Sequence, residues 1–104
     1  MDRLPFAKEK PFRDAKARAF YKRTHGKCEG CGKRRADDVH HLRSRARGGG
    51  DEERNLLALC RYPCHSSWAA VGQTRREWFA AREATMTEEA AEKVRYALRF
   101  IEEA

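Results

Sequence analysis

Two close cysteine pairs constrain this chain more than anything else in it: Cys28-Glu-Gly-Cys31 and Cys60-Arg-Tyr-Pro-Cys64. Two intervening residues let both thiolates of the first pair reach one ion, and Gly30 and Gly32 relieve the backbone crowding that results. The second pair encloses three residues, a longer interval that zinc sites also use. Cys28, Cys31, Cys60 and Cys64 together suffice for a closed, tetrahedral structural Zn2+ site. A chain of 104 residues, 40% apolar and 38% charged, can build only a thin core, so a metal staple is physically expected. No apolar run follows Met1-Asp2-Arg3, and no stretch is long and apolar enough to cross a membrane. The expectation is a cytoplasmic, reducing setting, where paired cysteines are metal ligands and not disulfides.

Between the pairs lie the residues that can carry chemistry. Val39-His40-His41-Leu42 reads as a short strand, Gly48-Gly49-Gly50-Asp51 as a turn, and Asn55-Leu56-Leu57-Ala58-Leu59 as a returning strand. A helix is expected from about Pro63 through His65 and Trp68 to about Val71, with Gly72 ending it. Neighbouring strand residues send their side chains to opposite faces. His40 can thus face an ion while His41 faces a water, and His65 can close the ion site from the helix. A neutral imidazole is suited to taking a proton near pH 7, and a divalent ion to polarising phosphoryl oxygens. Arg43, Arg45 and Arg47 follow at every second position. If the strand continues, they share His41's face and can grip phosphates in bidentate fashion. The net charge of +7 points to a polyanionic partner, with nucleic acid first among the candidates.

The order His-His, Asn, His, with the His pair and Asn between two Cys pairs and the final His directly after the last Cys, resembles the HNH endonucleases of the ββα-metal type. That resemblance implies a small α+β fold, a hairpin and helix closing on a metal, and hydrolysis of DNA to 5′-phosphate and 3′-hydroxyl ends. It implies His40 as a ligand of the catalytic ion, His41 as general base, and His65 as a further ligand. Asn55 would orient the loop and the catalytic His by hydrogen bonding. Two departures stand out: the second Cys pair and the Asn-to-last-His interval are each one residue longer than the family usually has. Two imidazoles suit transition metals, so Mn2+, Ni2+ or Zn2+ stands beside Mg2+ as the catalytic ion. One centre per chain favours nicking unless two chains pair. Small HNH proteins are often phage-encoded and work beside packaging proteins, so such partners are a further expectation. The alternative is a non-catalytic zinc-ribbon module that binds nucleic acid or serves assembly, using the same cysteines and charge.

The flanks read as support for a single domain. Residues 1–10 form a polar arm. A helix is expected over 11–26, starting at Pro11, burying Phe12, Ala15, Ala19 and Phe20, and ending at a left-handed Gly26. Arg13, Lys16, Lys22 and Arg23 fall largely off that face. The metal core should span 28–71 and a helical support 74–104. Thr74-Arg-Arg-Glu77 fits a capping box for a helix carrying Trp78 and Phe79. Thr85-Met-Thr-Glu88 fits another, before a helix from Glu88 to Glu102 with Ala90, Val94, Ala97, Leu98 and Ile101 on its apolar face.

Overall fold

Asp14 starts the first helix of the computed structural model, which describes residues 13–101. Its carboxylate accepts the free N–H groups of Lys16 and Ala17, and α1 runs Ala15–Thr24. Asp14 itself is extended, so the helix begins later than a Pro11 start would give. Pro11, Phe12 and the 1–10 arm lie outside the described residues. The helix stops at His25, without a left-handed Gly26. Its buried face also differs from the expected one. Ala15 and Ala19 are exposed, Phe20 is 58% exposed, and Tyr21 is the residue that goes inside. Polar contacts set this rotation. The Asp14 N–H and the Arg18 guanidinium both reach Asp51, and the Tyr21 hydroxyl donates to Glu29 at 2.5 Å.

The hairpin pairs β1 (Asp38–His41) with β2 (Leu56–Leu59), antiparallel, in the register His40 with Leu57 and His41 with Leu56. Side-chain alternation splits it into two faces. Leu57 and Leu59 join Leu42, Trp68, Trp78, Phe79 and Val94 in the main core. Leu56 and Ala58, with Val39, pack on Tyr21 and Ala36. The hairpin is therefore sandwiched between α1 and the C-terminal helices.

β1 ends at His41 and does not extend through the arginines. Asn55 occupies the backbone of Arg43, so strand pairing stops there. Arg45–Arg47 then forms a tight helical turn that Gly48 closes with a φ of 90°. Arg43, Arg45 and Arg47 consequently do not share a strand face with His41. Asn55 precedes β2, which starts at Leu56.

After β2 a helical turn, Arg61–His65, leads into α2 (Ser66–Trp68). This helix ends short of Val71, which is fully exposed in the turn before Gly72. α3 (Arg75–Arg82) carries the expected capping box between Thr74 and Glu77. Trp78 from α3 is completely buried, and its indole N–H donates to the Cys64 carbonyl at 2.8 Å. Truncating it to alanine would cost about 3–5 kcal/mol. α4 (Glu88–Leu98) is capped by Thr87, not by Thr85. The Thr85 hydroxyl instead lies 2.9 Å from the carbonyl oxygens of both Gly30 and Arg82, sharing its one hydrogen between the first Cys turn and α3. Ala90, Val94, Ala97 and Leu98 are buried as expected, and Ile101 packs on their edge. The helix stops at Leu98, and Glu102 lies outside the described residues.

Candidate metal centres

The four cysteines converge although they come from two separate turns. Their Sγ atoms all lie within 4.8 Å of one another. A tetrahedral Zn2+ with bonds of about 2.3 Å would set them roughly 3.8 Å apart, so small side-chain shifts complete the site. Four soft sulfur donors suit zinc over hard cations. The N–H of Gly30 points at Cys28 Sγ at 3.3 Å, and the Arg82 guanidinium at Cys64 Sγ at 3.3 Å. Both favour thiolates over thiols. Burial pushes Cys64 up to about 12 against the pull of Arg82. Cys31 is also opposed by burial, but the N–H groups of Arg34 and Lys33 outweigh it and bring that thiol down to about 7. The three-residue interval is absorbed by a wide turn. The His65 N–H bonds the Cys60 carbonyl at 2.9 Å, and Tyr62 bulges outward, 70% exposed.

A second group lies on the same side of the hairpin. His40 and His65 face each other with ring centroids 5.0 Å apart, and Trp68 closes over His40 edge-on at 4.9 Å. His40 Nε2 is buried with no hydrogen-bond partner. Burial first, then electrostatic repulsion from neighbouring His65, His41 and Arg75, drives His40 down to about 3, so the ring is neutral. The His65 Nδ1–H donates to Asp38 Oδ2 at 2.8 Å, which leaves Nε2 with a lone pair. Arg61 holds Asp38 from the other side, and together they keep that carboxyl below its ordinary range. An orphaned buried imidazole nitrogen beside a second, oriented imidazole fits a divalent ion with two protein donors and open positions.

Residues 28–68 match the HNH endonuclease family. The searches of curated proteins and of solved structures gave no match. The matched segment thus contains both Cys pairs, His40, His41, His65 and Asn55, and it ends at Trp68.

His41 leaves the opposite face of the strand from His40, as strand alternation requires. It is half-buried, and its Nε2–H donates to Asp51 Oδ1 at 2.7 Å. Asn55 is completely buried and holds the loop after His41. Its Oδ1 accepts the Arg43 N–H at 2.8 Å, and its Nδ2 donates to the carbonyls of Arg43 and Gly50. Arg45 and Arg47 are exposed at the mouth of the HNH hairpin, while Arg43 is half-buried and donates to the Arg47 carbonyl. Arg43, Arg47 and Arg75 line a cleft with Leu42, Trp68 and Phe100, next to His40. Sequence reasoning missed the two carboxylates, Asp38 and Asp51. Both sit inside the motif, and Asp51 was read only as part of a glycine turn.

Proposed function

We propose that this chain is a metal-dependent HNH endonuclease that hydrolyses DNA phosphodiester bonds. His40 Nε2 carries the assignment: a buried, unpartnered nitrogen on a ring whose centroid lies 5.0 Å from that of His65. Leaving such a nitrogen unsatisfied costs about 1–3 kcal/mol, which a ligand would recover. A divalent ion held by His40 and His65 would supply Lewis acidity toward the phosphate oxygens. His41, at the end of β1 where the chain turns away, takes the proton of the attacking water. Asn55 holds the Leu42–Gly50 loop so that His41 keeps its place. Arg43, Arg45 and Arg47, with Arg75, bind the phosphates on either side of the cleavage point. Cys28, Cys31, Cys60 and Cys64 hold structural zinc and have no part in the chemistry. With one His41 per chain, a single-strand nick is the expected product.

The test is a supercoiled-plasmid assay with zinc-loaded protein and added Mg2+, Mn2+ or Ni2+, with and without chelator. Nicked circles should form only with the added ion. His41→Ala should keep zinc and DNA binding yet cleave at least roughly a hundredfold more slowly. DNA binding without cleavage under every ion would leave a non-catalytic zinc-ribbon module.

A further inference from the structure

Asp51 is among the most buried polar residues described, at 1% exposure, in a chain whose net charge is +7. Its two oxygens divide their partners. Oδ2 accepts the Asp14 N–H at 2.7 Å and the Arg18 guanidinium, both from the start of α1. Oδ1 accepts His41 Nε2–H at 2.7 Å, with the Arg45 guanidinium 3.9 Å away. Resting on the nuclease reading, we propose that Asp51 is a positioning residue. It fixes His41 in the tautomer with the hydrogen on Nε2 and the lone pair on Nδ1, and α1 holds it there.

Geometry and charge both lead to this assignment. An ionised carboxylate can only accept a hydrogen bond. Burial opposes ionisation of Asp51, but the bonds from His41, Asp14 and Arg18 outweigh it and pull the carboxyl down to about 2. Turning the His41 lone pair toward Oδ1 would set two acceptors against each other in a dry site. With Nε2–H committed to Asp51 Oδ1, Nδ1 is the ring nitrogen left to take the proton from water. Asp14 and Arg18 lie outside the HNH match at 28–68. The segment alone therefore lacks two of the three groups that hold Asp51 in place. The Asp51 buttress also explains why α1 buries a polar corner and leaves Phe20 in solvent.

The tautomer is read directly from long-range ¹H–¹⁵N spectra of the zinc-loaded full chain, with no other divalent ion and no substrate. Wild type should show His41 with Nε2 protonated and Nδ1 bare. In Asp51→Asn that single form should give way to a mixture, and kcat should fall by roughly tenfold to a hundredfold with KM within about twofold. Arg18→Ala should shift the same spectrum in the same direction by less. Nδ1–H in wild type overturns the proposal, even if Asp51→Asn fails to fold. An unchanged spectrum and kcat in Asp51→Asn also overturns it, and an Arg18→Ala variant identical to wild type removes α1 from it. Because the spectrum needs no substrate, a wild type that never cleaves DNA would sink the nuclease reading and leave the tautomer to be decided separately.

Discussion

Asn55 brackets Arg43: its Oδ1 takes the Arg43 N–H at 2.8 Å while its Nδ2 gives to the Arg43 carbonyl at 3.2 Å. One buried side chain thereby replaces the strand partner that Arg43 would otherwise have, and β1 ends at His41. A third bond, to the Gly50 carbonyl at 2.8 Å, ties in the far side of the loop. Asn55→Ala strands these groups in a dry site and should destabilise the fold by about 3 kcal/mol. Urea unfolding measures this. A midpoint within error of wild type would show that the loop does not depend on Asn55.

The same loop depends on the absence of one side chain. A Cβ on Gly49 would sit 1.8 Å from the Arg43 carbonyl oxygen, a backbone atom with nowhere to go. Gly49→Ala should therefore cost more than about 2 kcal/mol. Gly26→Ala meets no atom within 4 Å and should stay within about 0.5 kcal/mol of wild type. Thermal unfolding of the two variants side by side checks the contrast. Equal melting temperatures would contradict it.

These two cases show what was legible in the sequence and what was not. The Cys pairs, the hairpin and the Thr74 capping box could be read because each rests on local spacing. The main-core face of α4 could be read too, since Ala90, Val94, Ala97 and Leu98 repeat at helical period. The face of α1 could not. Its apolar residues, Ala15, Ala19 and Phe20, stay in solvent because Asp14 and Arg18 answer Asp51, which lies far away in the chain. The arginine run failed as a strand for a similar reason, since Asn55 decides where β1 stops. Thr85 and Thr87 offer nearly the same capping signal, and only the bond from Thr85 to Gly30 decides between them. An acid directly behind a triple glycine, the first of Asp51-Glu52-Glu53 in a basic chain with a His pair, was the available clue to Asp51.

Zinc should be inseparable from folding here. The Sγ atoms of Cys28, Cys31, Cys60 and Cys64 join two separate turns of the thin core. The purified chain should release one tightly held zinc on thiol modification. Cobalt substitution should give the intense charge-transfer bands of a tetrathiolate. Cys64→Ser should lose cooperative thermal unfolding. A chelator-stripped chain that still melts cooperatively would contradict this.

Acid should act through Asp51. Its folded pKa, about 2, lies below the ordinary value of 3.8. The unfolded chain therefore binds the proton more readily, and the stability from this group is complete above about pH 4 and fades toward pH 2. Zinc leaves in acid from wild type and variant alike, so the informative quantity is their difference. The melting-temperature gap between wild type and Asp51→Asn should narrow as pH falls through that window. A constant gap would show that Asp51 is not held ionised by the fold.

The central claim is that His40 and His65 form an ion site separate from the cysteines. Calorimetric titration of Mn2+ into the zinc-loaded chain tests it most directly. Wild type should bind one further ion per chain, and His40→Ala and His65→Ala should each weaken that binding by at least roughly tenfold while retaining the cysteine-bound zinc. No binding beyond that zinc in wild type, or a Mn2+ affinity unchanged from wild type in both variants, would contradict the account.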